Sequence, residues 1–235
     1  MANASNVRAA GRLAGLAYLV IIIFSTAGYA TLTGLLAGDP HGVLARLAMN
    51  QPLFMSALIA SVIGFAAWVV LGALLYRLMG SAGRISGLLM LIFVVAGAVT
   101  SLIALSALAP LVGANITDLD ADTATTMVRS YQRQLLLTQV FSGLWMFPFG
   151  WLVLRSRIAP QLLGFCLMVG GLGYVLLFAT AFAPNLDHMM AYRIVSIALG
   201  VPAMIGELGT CLWLLFKGAR EPGVDRPATG AMAAA

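Results

Sequence analysis

The run FMSALIASVIGFAAWVVLGALLYRL, Phe54–Leu78, decides the fold. Its only charge is Arg77, next to its end. A helix rises 1.5 Å per residue, so about 20 mainly apolar residues cross the ~30 Å hydrocarbon core of a bilayer. The run is continuously apolar and lacks the alternation over ~10 residues that marks a barrel strand. Outward from it, five more stretches have the same character: Leu13–Leu36, Ile85–Val112, Met127–Leu154, Leu162–Ala183 and Met189–Phe216. The expected fold is all-α, a six-helix transmembrane bundle. One six-span membrane domain occupies residues 1–218, and the Pro-, Gly- and Ala-rich segment 219–235 reads as a disordered cytoplasmic tail.

Composition agrees. Hydrophobic residues make up 61% of the 235-residue chain and charged residues 9%, against about 25% charged in a soluble domain. A soluble globular enzyme, a disordered chain, a coiled coil and a disulfide scaffold are excluded. The formal net charge is +5, but the basic residues sit singly at span ends and form no stripe, so no nucleic acid partner is expected. Cys166 and Cys211 lie inside apolar runs without metal-ligand spacing and read as small hydrophobes.

Basic residues set direction. Arg8, Arg12, Arg77, Arg84, Arg155, Arg157, Lys217, Arg220 and Arg226 fall on one side of the predicted spans. Arg46, Arg129, Arg133 and Arg193 fall on the other, beside Asp39, Asp118, Asp120, Asp122 and Asp187. Both termini are therefore expected in the cytoplasm. Span one is longer than the 7–15 residues of a signal-peptide apolar region and reads as a retained span.

The first outer loop, His41–Asn50 between Pro40 and Pro52, places Val43, Leu44, Leu47 and Ala48 on one helical face and predicts a short interfacial helix. Asp118, Asp120 and Asp122 imitate the start of an EF-hand loop. Thr123 stands where its Gly is needed and Arg129 where its bidentate Glu belongs. Asp122 or Thr123 is instead expected to cap span four. The odd spans open alike, at Arg12–Gly15, Arg84–Gly87 and Gln161–Gly164, and the even spans close alike, at Tyr76-Arg77, Leu154-Arg155 and Phe216-Lys217. Either three helical hairpins repeat in one orientation, or basic ends and small residues simply recur as in any bundle.

Glu207 is the informative polar residue. It lies ten residues before Lys217, hence ~15 Å from that end of the helix, near mid-bilayer. A charged and unpaired acid there is expensive, so it either faces the bundle interior and marks a site or stays protonated. Ser196, Gly200, Ala203 and Glu207 share one small-residue face, and Pro202 frees a backbone carbonyl beside it. Counting about ten residues inward from the other basic ends reaches Trp68, Val94, Trp145 and Gly171. The two indoles are either donors to Glu207 or core packing. Candidate ligand-binding residues are Glu207, Ser196, Gly200, Ala203, Trp68 and Trp145. A second cluster, Arg129, Arg133, Gln139 and Arg193, reads as an outer polar mouth or as partners of the loop acids. No catalytic, cofactor or metal motif is present, and His41 and His188 stand at loop ends.

The stretches Pro148–Gly164 (PFGWLVLRSRIAPQLLG), Gly170–Tyr174 (GGLGY) and Pro202–Gly218 (PAMIGELGTCLWLLFKG), with Arg12–Leu19 (RLAGLAYL), resemble the bacterial domain-of-unknown-function family 4386. The resemblance spans roughly residues 8 to 218. Trp145–Pro148 departs from its pattern. It implies a multi-pass protein of the bacterial inner membrane, with Gly206-Glu207 in the closing motif, and implies no activity. The leading expectation is a bundle that binds or transports a small molecule or lipid through Glu207. The alternatives are a structural or partner subunit without ligand, and an intramembrane enzyme using Glu207 as acid/base, which needs a further polar group nearby.

Overall fold

The computed structural model describes residues 4–112, 119–179 and 190–219. Its elements are α1 (Ala4–Leu35), α2 (Pro40–Met49), α3 (Gln51–Met79), α4 (Arg84–Ser106), α5 (Ala121–Leu144), α6 (Met146–Ser156), α7 (Gln161–Ala179) and α8 (Met190–Lys217). No strand occurs among the described residues. Six helical spans are long and apolar enough to cross a membrane, with α5 and α6 together forming one of them. Residues 220–235 of the proposed disordered tail, the acid Asp118 and the loop holding Asp187 and His188 lie outside the described residues, while Ala219, its first residue, is buried.

The spans form a ring. Each packs beside its neighbours in sequence, and α8 returns to α1. Arg77, Arg84, Arg155 and Lys217 mark one end of the ring, the basic end. The outward faces carry large apolar side chains, including Ile59, Val70, Ile92, Ile103, Phe165 and Phe216. This suits hydrocarbon contact: lipid is as apolar as leucine, so helices in a membrane associate through close packing of small residues. The contacts follow that rule. Gly28 of α1 lies against the Ser61 hydroxyl and the Ala57 carbonyl of α3, and Gly64 of α3 against the hydroxyl and backbone of Ser25.

The join between span four and α7 is tighter still. A Cβ on Gly143 would stand 2.5 Å from the Gly171 carbonyl oxygen, and one on Gly171 would stand 2.8 Å from that of Gly143. Gly150 and Gly164 repeat the pattern at 2.5 and 2.8 Å. The two pairs lie two turns apart on each helix. These antiparallel backbones therefore touch at two reciprocal points where no side chain fits.

Two expectations change, and the interruption of span four follows from its proline. Span three does not run as α-helix to Val112. It ends at Ser106, and a short 3-10 turn follows at Ala109–Leu111, because Pro110 has no N–H to continue the ladder. The residue that precedes α5 is Asp120, not Asp122 or Thr123, and its side chain makes no capping bond. Span four breaks at Trp145 between α5 and α6, where Pro148 removes the bond to the Leu144 carbonyl.

The short helix expected between spans one and two is present as α2. The Asp39 carboxylate accepts from the Gly42 N–H at 2.8 Å and so caps it, with Pro40 pre-set at its first position. Val43 and Leu47 are buried against Leu32, Leu36, Phe54, Leu108 and Tyr131, so α2 closes one end of the bundle. Arg46 donates to the carbonyls of Leu35 and Ala37, completing the end of α1. The Gly42 N–H holds the Asp39 carboxyl below its usual value, with Arg46 adding to the effect. The cap therefore supports α2 above the ordinary aspartate pKa of about 4 and is lost as pH falls through and below it. Hydrogen exchange of the α2 amides, corrected for intrinsic rates, is expected to quicken from pH 7 to pH 3 in the native chain. In Asp39→Ala it is expected to be already fast at pH 7.

Candidate functional site

Between the spans lies a cavity of about 720 Å³. At the basic end α8 presses on α1. Gly11 and Gly15 lie against the backbones of Ala219 and Leu215, and the Cys211 thiol donates to the Gly15 carbonyl at 3.6 Å. Trp213 Nε1 donates to the Ile158 carbonyl at 3.2 Å and ties α8 to the α6–α7 turn. Beyond Tyr18 the two helices line the cavity instead, α1 through Ile21, Ile22, Ser25 and Thr26, and α8 through Gly200, Met204 and Leu208. Thr26, Met204 and Leu208 are exposed.

Aromatic rings floor the cavity. Trp145, only 3% exposed, stacks on Phe149 at 5.1 Å between ring centres. It makes edge-to-face pairs with Trp68 at 5.9 Å and Tyr18 at 6.2 Å. The edge-to-face geometry is the favoured one for such pairs. The α5–α6 break carries Trp145, so the proline that interrupts span four also sits beside the floor.

Glu207 is half-buried and stands on the cavity wall. Its hydrogen-bond donor among the described residues is Tyr174, whose hydroxyl is 3.5 Å from Oε2. Ordinary O–H···O bonds are 2.5–3.0 Å, so this contact is loose. The indoles of Trp68 and Trp145 pack against other rings in the floor.

Of the residues singled out in the sequence, the structure brings together Glu207, Gly200, Ala203, Trp68 and Trp145 on one cavity. Ala203 also packs backbone to backbone on Gly170 of α7, while a Cβ on Gly200 would meet nothing within 4 Å. Ser196 belongs to α8, and its side chain, like that of Arg193, lies outside the described residues. The polar cluster divides. Arg129 lines a separate cleft of about 230 Å³ with Gly38, Val43 and Gln132. Arg133 is exposed, and Gln139 is half-buried. None of these three lines the large cavity.

Sequence reading missed Tyr18 and Tyr174. The count that found the two indoles also reaches Tyr18, ten residues after Arg8, and Tyr174 is one turn beyond Gly171. Both cysteines are free. Among the described residues no group of three His, Cys, Asp or Glu side chains is placed to hold a metal.

Fold and cavity define the class: a multi-pass helical membrane protein in which five of the six spans, all but α4, line a largely apolar cavity with one acid on its described wall. The family described as "Domain of unknown function (DUF4386)" matches residues 13–218. The chain belongs to that family. No curated protein and no solved structure matches it.

Proposed function

We propose that the protein is a small-molecule-binding bundle of the bacterial inner membrane, with Glu207 as the polar anchor of its ligand and both termini in the cytoplasm. One observation carries the reading: the cavity reaches Glu207, and among the described residues the carboxylate has only the loose contact with Tyr174. A helix-tying acid would instead sit in a solid core with its oxygens bonded. The cavity's size is within the range of about 300–1,000 Å³ that encloses small ligands. Gly200, Ala203, Trp68 and Trp145 shape it, and Ser196 extends the Gly200 face by one turn. The orientation rests on the nine basic residues that fall at one end, against four at the other. Arg129, Arg133, Gln139 and Arg193 belong to the opposite end in this reading.

Native mass spectrometry of the purified protein, wild type beside Glu207→Gln, tests it. A small molecule or lipid is expected to fly with the wild type and to be lost in the variant. Both proteins flying empty, with equal stability, would overturn the proposal and favour a structural role for Glu207.

A further inference from the structure

The cavity has a chemistry narrower than its size. Its described wall carries one carboxylate, Glu207, and no Arg, Lys or His. Two phenols, Tyr18 and Tyr174, and two indoles, Trp68 and Trp145, share that wall with Ile21, Ile22 and Phe65. The Tyr18 hydroxyl is buried and has no hydrogen-bond partner among the described residues. A carboxylate offers about four lone-pair positions, and Tyr174 reaches one of them at 3.5 Å. A charge on Glu207 in this apolar setting calls for a counter-charge.

Different ligands answer these features unequally. An anion meets repulsion from Glu207. A neutral polyol could bond to the hydroxyls of Ser25, Thr26, Thr138 and Ser142 on the wall, but brings no counter-charge to Glu207. A plain hydrocarbon fills the volume and leaves the acid unanswered. A cation on an apolar body answers both: its charge pairs with Glu207, and its body packs on the aromatic and aliphatic wall, where a ring quadrupole favours a cation over an anion.

We infer that this cavity takes a lipophilic organic cation, a protonated amine or quaternary centre carried on an apolar or aromatic body. The inference rests on the binding function proposed above and adds the charge class of the ligand.

Three probes of similar shape and different charge test it on the full chain in neutral maltoside micelles: tetraphenylphosphonium, triphenylphosphine oxide and tetraphenylborate. Quenching of tryptophan fluorescence reads binding. Tetraphenylphosphonium is expected to bind saturably, at least about tenfold more tightly than the neutral oxide, and tetraphenylborate not to bind. Glu207→Gln is expected to weaken the cation at least about tenfold and leave the oxide unchanged. Gly200→Leu supplies a second variant that does not touch the acid. Its Cβ has open space, so the chain folds while the new side chain fills the cavity, and binding of both cation and oxide weakens. Should Glu207→Gln fail to fold, the charge series and Gly200→Leu still decide.

Equal binding of all three probes, each weakened by Gly200→Leu, would overturn the cationic class and leave the binding function standing. Cation binding indifferent to both variants would place the probe elsewhere and overturn the inference. No saturable binding of any probe also overturns it, and the mass-spectrometry comparison then decides the broader function separately. Added phosphatidylethanolamine distinguishes two sources of one chemistry. Competition with the phosphonium assigns the cation to a lipid headgroup, and its lack assigns it to a free ion; either supports the class.

Discussion

Gly150→Val is expected to lower the thermal unfolding midpoint by roughly 6–12 °C, corresponding to about 3 kcal/mol in a chain of this size. The reason is local. The added Cβ would lie 2.5 Å from the Gly164 carbonyl oxygen and 2.6 Å from a Met168 side-chain carbon. Met168 can move, but the carbonyl belongs to the α7 backbone. The helices must separate by an ångström or more, and Gly143–Gly171, two turns away, is pulled apart with them. Overpacking against backbone thus exceeds the ordinary cost of an extra methylene, because no rotamer change relieves it. Gly200→Ala is the matched control. It also replaces a glycine in a helix, yet meets open space. It is expected to leave the midpoint unchanged or raise it, since alanine exceeds glycine in helix propensity by about 1 kcal/mol. Circular dichroism melts of the two variants in one detergent make the comparison. Equal midpoints would remove the glycine contact as the source of the join.

Trp145→Ala carries the second large effect, a loss of about 3 kcal/mol. Trp145 is the ring that Tyr18, Trp68 and Phe149 all touch, so its removal leaves three rings without their common partner and a void beneath the cavity. Trp145→Phe keeps one ring in the stack and is expected to restore more than half of the loss. The same pair of variants separates packing from ligand contact. If Trp145 only packs, tetraphenylphosphonium affinity follows stability, and the phenylalanine variant recovers both. If its indole also faces the ligand, the phenylalanine variant recovers stability while affinity stays low.

The parts of this molecule that were legible in the sequence are those set by local chemistry. Phe54–Leu78 needs no partner to be read as a span, because each residue contributes independently to transfer into hydrocarbon. Glu207 was legible for the same reason: its cost in that medium does not depend on which helix it faces. Helix α2 announced itself through Pro40 and the apolar period of Val43 and Leu47. The Gly143–Gly171 and Gly150–Gly164 contacts were not legible, since a glycine in a span looks alike whether it meets a carbonyl, as Gly150 does, or open space, as Gly200 does. Tyr18 and Tyr174 were passed over because a phenol suits both packing and a polar site, and only the neighbouring carboxylate distinguishes them. Asp122 and Thr123 were mistaken for caps because acids and hydroxyls crowd that loop, and the choice among adjacent candidates depends on where the chain turns.

The contact of α8 with α1 at Gly11 and Gly15 has a consequence for how the molecule comes into being. The wall is closed between α1 and α8, which stand at opposite ends of the six-span region. While α1 to α7 are inserted and α8 is still to come, a seam runs along α1, and the acid on the cavity wall has not yet been synthesised. Closure therefore waits for a stave driven between α1 and α7, and the cavity is complete only from that moment. A chain cut short before α8 loses the closed wall whole rather than keeping a weakened one.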